Sequence, residues 1–173
     1  MFRGEKITLR TIHEDDLDTL YDLLSDISNR GEYYPLDFWS QVDYKNRFHE
    51  HGLWEETKGT LAICAADKIV GTIGFFPAMY YNGFEIGYIL YDVASRQKGY
   101  MTEALSLLSK YLFDTKKINR LQLTVIAGNA ASKKVAEKCG FKFEGVMRGA
   151  IFHHGENKDL EMYSLLRNEP KPL

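Results

Sequence analysis

The chain has 173 residues, of which 45% are hydrophobic and 27% are charged, and these values are typical of one globular domain. Its 22 basic and 24 acidic residues give a net charge of −2, which does not favour a surface for stable nucleic-acid binding. No apolar run approaches the roughly 18 residues that span a bilayer, and Arg3, Glu5 and Lys6 interrupt any signal-peptide core. We therefore expect one soluble, cytoplasmic domain over residues 1–173, with a short tail from about residue 168.

Cysteine and histidine positions give no sign of a metal centre. Cys64 belongs to an apolar run, and Cys139 falls on the apolar side of a predicted helix. Such positions are typical of buried free thiols rather than of a disulfide framework or a zinc site. His49 and His51 are two residues apart, so a helix would direct them to different faces. We expect no metal site.

The hydrophobic pattern predicts strands and helices along the whole chain. The predicted strands are 6–10, 60–65, 69–76, 84–91, 120–125, 141–147 and 160–166. Helical spacing is found over 17–24, from about residue 43, over 99–114 and over 130–139. Thr11 and Glu14 form a candidate capping box before the first helix, and Gly140 is a candidate C-terminal cap for the last. The order is a meander, a helix, a strand, a helix and a hairpin, which predicts an α+β fold with helices on a mixed sheet.

The segment 96–103 lies between a predicted strand and an amphipathic helix. It reads Arg-Gln-Lys-Gly-Tyr-Met-Thr-Glu and so places two cations and Gly99 at a helix N-terminus. Backbone N–H groups and the helix dipole favour an anion there, and glycine permits a close approach. The segment is neither a Walker loop nor a dinucleotide fingerprint. It predicts a site for a phosphate-bearing ligand, with an ordinary solvated helix start as the alternative.

This segment resembles the acetyl-CoA loop of the GNAT (Gcn5-related) N-acetyltransferases, Arg/Gln-x-x-Gly-x-Gly/Ala. Arg96 and Gly99 match that pattern, whereas Met101 replaces the usual small residue. A second matching block begins at Asn129-Ala130-Ala131-Ser132 and continues to Gly145. Together with Leu9-Arg10, Glu85-Ile86-Gly87-Tyr88, and Asp159 with Tyr163-Ser164-Leu165-Leu166, the resemblance covers nearly the whole chain and is nearest to the RimJ/RimL-like branch. The resemblance implies a three-layer fold, with helices on both faces of a mixed, mostly antiparallel and splayed sheet.

The resemblance also implies acetyl-CoA as the cofactor. Backbone amides released where two strands separate would bond its pantetheine arm in the manner of an added strand. Asn129 would hold the same arm, although a plain helix N-cap explains that residue equally well. The residues expected to bind acetyl-CoA are Leu90, Tyr91, Arg96, Gln97, Lys98, Gly99, Tyr100, Met101, Thr102 and Asn129.

Acetyl transfer to an amine needs a base, because amines carry a proton at neutral pH. Glu85 is the favoured base, since the resemblance directs it into the cleft; an ordinary solvent-facing strand residue is the alternative. Asp159 is the second candidate, with a turn-capping role as its alternative. The tyrosine that many family members use as acid is Ala136 here. The resemblance to the RimJ/RimL-like branch instead implies Ser132 as the acid or thiolate donor, against the alternative of a helix serine bonded to backbone.

Aromatic residues accumulate between residues 33 and 48 without helical or strand spacing. Rings in such a pattern often line a pocket, and in the family this region shapes the acceptor site. We expect Tyr34, Phe38 and Trp39 to contact the acceptor, and Glu32 or Asp37 to attract its positive charge. A local hydrophobic cluster over the sheet edge is the alternative.

Together these features predict an N-acetyltransferase that acts on a primary amine, either a protein N-terminus or a small molecule. The amine attacks directly in a ternary complex. A catalytically weak acyl-CoA-binding module is the alternative, which Met101 and Ala136 keep open. A nucleic-acid-associated domain is disfavoured by the net charge. We expect no membrane partner, and a monomer and a homodimer both remain open.

Overall fold

The computed structural model describes residues 1–27, 31–34, 39–78 and 82–169. Two 3₁₀ turns occur, at Glu14–Asp16 and Val93–Ser95. The helices are α1 Leu17–Ser25, α2 Gln41–His51, α3 Tyr100–Thr115 and α4 Ala130–Lys138. The strands are β1 Phe2–Arg3, β2 Thr8–Thr11, β3 Gly59–Ala65, β4 Lys68–Pro77, β5 Gly83–Leu90, β6 Arg120–Ile126, β7 Lys142–His153 and β8 Glu156–Leu166.

The strands form one eight-stranded sheet in the order β1-β2-β3-β4-β5-β6-β8-β7. Pairing is antiparallel at β1–β2, β2–β3, β3–β4, β6–β8 and β7–β8, whereas β5 and β6 run parallel. That parallel ladder joins Gly83–Glu85 to Arg120–Gln122, the first three residues of each strand. The predicted mixed, mostly antiparallel sheet with helices is confirmed.

The chain divides into two compact units, residues 1–76 with 87–104 and residues 77–86 with 105–173. In the first unit, Leu17 and Leu20 of α1 belong to a buried cluster with Tyr44 of α2 and Tyr91. In the second unit, the fully buried side chains include Leu105, Leu108, Leu121 and Tyr163. Strand β5 and helix α3 contribute residues to both units.

The predicted capping box at Thr11 and Glu14 is wrong. Thr11 ends β2, and the first helical turn begins at Glu14. The His13 N–H donates to Asp16 Oδ2 at 2.8 Å, and the Arg10 guanidinium donates to both oxygens of Asp16 at 2.5 and 2.8 Å. The acid that caps this turn is therefore held by an arginine of the preceding strand, which local spacing does not indicate.

The closing hairpin is confirmed and is longer than predicted. Strand β7 continues to His153 and β8 begins at Glu156, so the loop contains only His154 and Gly155. Both loop residues have positive φ, 49° and 81°, as a tight two-residue hairpin turn requires.

The two cysteines are buried and free, as predicted, and burial raises the pKa of both thiols. Within the described residues, no group of three or more His, Cys, Asp or Glu side chains is placed to hold a metal ion. No helix in that part of the chain is long and apolar enough to cross a membrane.

In the second unit, the free energy of unfolding at acidic pH depends on one hydrogen-bonded carboxylate, Glu144. Glu144 accepts hydrogen bonds from the Arg120 guanidinium at 2.7 and 2.5 Å and from Ser164 Oγ at 2.6 Å. These donors, Arg120 first, lower the pKa of Glu144 from 4.5 to about 2. Because the folded pKa is depressed, the stabilisation is complete above about pH 4.5 and is lost as the pH falls toward 2.

We therefore expect Glu144→Gln to flatten the fall of the free energy of unfolding between pH 4.5 and 2. Urea unfolding at a series of pH values measures this slope. The effect is reduced by solvent screening, because the Glu144 side chain is 42% exposed. Glu56→Gln, at an exposed glutamate of the first unit, is the control and should keep the wild-type slope. An unchanged slope in Glu144→Gln would contradict the assignment.

Candidate active site

The turn between β5 and α3 has the geometry of an anion-binding loop. Gln97 and Gly99 have positive φ, 61° and 83°, and α3 begins at the next residue, where Glu103 N–H donates to Gly99 O at 3.0 Å. An added Cβ at Gly99 would meet only Lys6 Nζ, at 3.2 Å. A phosphate group can therefore approach this backbone closely, beside an ammonium group.

Glu103 joins the first turn of α3 to the N-terminal segment of the chain. Its carboxylate accepts the backbone N–H groups of Lys6, at 3.0 Å, and of Glu5. An added Cβ at Gly4 would collide with Glu103 Oε1, so the Glu103 carboxylate would have to shift. These contacts place Lys6 next to the loop. Local sequence patterns do not indicate these hydrogen bonds of Glu103, because the bonded residues lie 97 and 98 positions apart in the chain.

Met101 does not obstruct the loop with its side chain. The side chain is 6% exposed and packs in the core, while Gln97, Lys98 and Gly99 are exposed. The departure from the family pattern therefore changes the core behind the loop. The other three residues of the segment are half-buried: Arg96, Tyr100 and Thr102.

The free amide predicted at Tyr91 is wrong. Its backbone N–H donates to Val70 O at 3.0 Å, and its hydroxyl pairs with Thr72 Oγ1 at 2.9 Å. Because backbone groups alternate between the two edges of a strand, the backbone of Leu90 is directed to the opposite edge of β5. Leu90 thus remains the candidate for bonding an added chain.

Glu85 is a positioned carboxylate. Its Oε2 accepts from Gln122 Nε2 at 2.9 Å and its Oε1 accepts from Thr124 Oγ1 at 2.7 Å. Glu85 is half-buried and Gln122 is 4% exposed. Each carboxylate oxygen has a second lone pair, so the group can still accept a proton or a water. Gln122 and Thr124 are two residues apart in β6, so both side chains lie on one face of the strand. This spacing is the feature of the sequence that could have indicated the two donors.

The other predicted catalytic residues take part in local structure. Asp159 Oδ1 accepts the Gly149 N–H at 2.8 Å, where the β7–β8 register shifts between Met147 and Ile151. Asn129 Oδ1 accepts the Ser132 N–H at 3.1 Å and caps α4. The capping alternatives foreseen for Asp159 and Asn129 are therefore present, and Ser132 lies half-buried in the first turn of α4.

Tyr34 and Trp39 line a cavity of about 740 Å³ within the first unit. Its walls come from α1, α2 and strands β3 to β5. Phe38 and Asp37 lie outside the described residues. Glu32 is exposed and outside the described lining; the carboxylates in the wall are Glu50 and Glu55.

The loop after β5 has the geometry of an anion site, and comparison with known proteins gives the family of the chain. The acetyltransferase (GNAT) domain model matches residues 6–142. The chain therefore belongs to the acetyltransferase (GNAT) domain family and is by family an acyltransferase.

Individual relatives agree with this. The probable N-acetyltransferase YjcK of Bacillus subtilis (strain 168) is 28% identical over 177 residues, which cover 96% of this chain and 97% of that protein. The structure of RimL, a ribosomal L7/L12 alpha-N-protein acetyltransferase in complex with coenzyme A, is 23% identical with a TM-score of 0.78 and covers 94% of this chain and 95% of that one. Spermidine N-acetyltransferase from Vibrio cholerae, in complex with CoA and spermine, is 18% identical with a TM-score of 0.82, covering 95% and 97%.

These two structures share the fold and contain CoA. The predicted resemblance to the GNAT N-acetyltransferases is confirmed, and acetyl-CoA is confirmed as the cosubstrate at the level of that family.

Proposed function

We propose that this protein is an acetyl-CoA-dependent N-acetyltransferase whose acceptor is a primary amine, of a protein N-terminus or a small molecule, that attacks directly in a ternary complex. The observation that carries the proposal is the carboxylate of Glu85, held by Gln122 at 2.9 Å and Thr124 at 2.7 Å. A protein that only binds acyl-CoA has no need of a carboxylate positioned in this way.

The residues of the loop fit the phosphates of acetyl-CoA, which supplies the acetyl group as a thioester. Backbone N–H groups at Gly99, Tyr100 and Met101 lie at the helix start, where intrahelical acceptors are missing. Gly99 leaves room for a close approach. Arg96, Gln97, Lys98 and Thr102 are the proposed side-chain contacts, and Leu90 and Asn129 are the proposed contacts to the pantetheine arm.

Glu85 is the proposed general base. An α-amine has a pKa near about 8 and an alkyl amine near about 10, so the acceptor arrives protonated and must lose a proton before it attacks. Glu85 accepts that proton, directly or through one water. Ser132 is the proposed hydrogen-bond donor to the departing thiolate, and Asp159 is the second candidate base.

The alternative of a weak acyl-CoA-binding module depends on Met101 and Ala136. The Met101 side chain is buried, so it does not restrict access to the loop. Ala136 is also buried and removes the usual tyrosine acid, which solvent can replace by protonating the thiolate.

The test is thiol detection of CoA release with acetyl-CoA and a panel of amines: Ala- and Ser-starting peptides, spermidine, aminoglycosides and aminoacyl nucleotides. Release with any class supports the transferase. Silence across the panel with CoA binding retained in calorimetry would favour the binding module. Absence of CoA binding would overturn the assignment of the loop.

A further inference from the structure

We infer that the cavity of the first unit selects an acceptor amine with an aromatic or flat apolar body and a single positive charge. The inference rests on the proposed transferase function and narrows its acceptor. It excludes polyamines as the preferred acceptors.

Aromatic rings line the cavity, and they come from the two helices α1 and α2, from the sheet and from the chain between the helices. Tyr21 and Tyr44 come from α1 and α2, Phe75 and Tyr88 from the sheet, and Tyr34 and Trp39 from the chain between the two helices. The volume of about 740 Å³ lies within the range of roughly 300–1,000 Å³ that holds small organic ligands. Rings of this kind bind flat apolar groups by edge and face contacts.

Two tyrosine hydroxyl groups of the lining have hydrogen-bond partners within the wall. Tyr21 Oη donates to Trp39 O at 3.2 Å, and Tyr91 Oη pairs with Thr72 Oγ1 at 2.9 Å. Burial raises the pKa of Tyr44 to about 12, so its hydroxyl stays neutral at working pH. The wall therefore presents mainly neutral, apolar surface to a ligand.

The charged groups of the wall leave one carboxylate for the ligand. Glu55 lies 3.0 Å from both Lys58 Nζ and His51 Nε2. Arg47 covers the Trp39 ring, with Cζ 3.6 Å from the ring centroid. Within the described residues, Glu50 is the carboxylate of the lining without a recorded cationic partner.

These charges of the cavity wall attract one ammonium group of a ligand and repel a second one. A polyamine would bring further ammonium groups next to Arg47 and Lys58, which repel them, with a single carboxylate to neutralise them. An aromatic monoamine places one ammonium near Glu50 and its ring against the walls.

The cavity also reaches the strand that would hold the acetyl donor. Its lining includes Tyr88, Ile89 and Tyr91 of the β5 segment, and Leu90 between them is the proposed contact to pantetheine. An amine anchored by the rings would therefore lie next to the segment that is proposed to bond the pantetheine arm.

The experiment compares kcat/KM for tryptamine, hexylamine, spermidine and an Ala-starting peptide at saturating acetyl-CoA. Tryptamine and hexylamine each carry one primary amine, so their ratio isolates the ring. We expect tryptamine to exceed hexylamine by about tenfold and to exceed spermidine and the peptide. An equal rate for hexylamine, or a higher one for spermidine or the peptide, would overturn the inference and leave the transferase function intact.

Matched variants locate the effect. Trp39→Ala should lower kcat/KM for tryptamine about tenfold, whereas Phe152→Ala, at a 72% exposed ring on β7, should leave it unchanged. Glu50→Gln should raise KM for the amine, and Glu56→Gln, outside the described lining, should not.

Calorimetry of tryptamine binding to CoA-loaded wild type and to CoA-loaded Trp39→Ala gives a readout that needs no turnover. If the substitution weakens tryptamine binding, the inference is supported, even when no amine is acetylated. The absence of acetylation would count against the proposed function alone. Equal binding to both proteins would overturn the inference.

Discussion

Glu85→Gln is expected to lower kcat for acetyl transfer about 100-fold, the usual size of a general-base contribution, and to leave the Kd for CoA unchanged. The glutamine keeps the size of Glu85 and one oxygen that can accept from Gln122, and its NH₂ can donate to the Thr124 hydroxyl. It cannot take a proton from the amine. The anion loop of residues 96–102 is not altered by the substitution. Steady-state CoA release and calorimetry with CoA measure the two quantities separately.

The pH dependence distinguishes a lost base from a distorted site. Without Glu85 as acceptor, only amine that is already neutral reacts, so kcat/KM of Glu85→Gln should rise with pH toward the pKa of the amine, near about 10. The wild type should reach its plateau at lower pH. A variant with wild-type kcat, or with a reduced kcat and an unshifted profile, would remove Glu85 from the role of base.

Thr124→Val separates positioning from proton transfer. It removes the donor at 2.7 Å from Glu85 Oε1 and leaves the carboxylate in place. We expect a loss of kcat smaller than that of Glu85→Gln, with the wild-type pH profile retained. A loss equal to that of Glu85→Gln would assign Thr124 a direct part in the reaction.

The sequence alone predicts the elements that local spacing controls. The strand of residues 84–91 and the helix of residues 99–114 are found within one residue of their predicted ends, because strand alternation, the Asn82-Gly83 turn and the helical apolar face are all local signals. Gly99 and Glu85 are predicted site residues as well, Gly99 through its motif and Glu85 through the resemblance.

The contacts that complete the site join residues far apart in the chain. Glu85 lies 37 and 39 residues from its donors Gln122 and Thr124, and Glu103 lies 97 residues from Lys6. Periodicity within a window of one helix or strand carries no information about such pairs. The same limit applies to the cavity, where Glu50 and Glu55 lie in the wall, Glu32 lies outside the described lining and Asp37 lies outside the described residues.

Gly99→Ala is expected to weaken CoA binding at least tenfold. Gly99 has φ of 83°, a conformation that costs an alanine roughly 1–2 kcal/mol. The added methyl would also lie on the surface that the phosphate must approach, 3.2 Å from Lys6 Nζ. The strain lowers the stability of the folded protein, whereas the obstruction raises the Kd for CoA.

Gly155→Ala is the matched control for the strain. Gly155 has φ of 81° in the β7–β8 turn, and an added Cβ there would meet nothing within 4 Å. Both variants should therefore lose comparable stability in thermal unfolding, because each forces an alanine into the left-handed region. Calorimetry with CoA should show a raised Kd in Gly99→Ala alone. Equal affinities for the two variants would mean that the backbone at Gly99 does not contact the phosphates, and the anion site would then have to be assigned elsewhere in the chain.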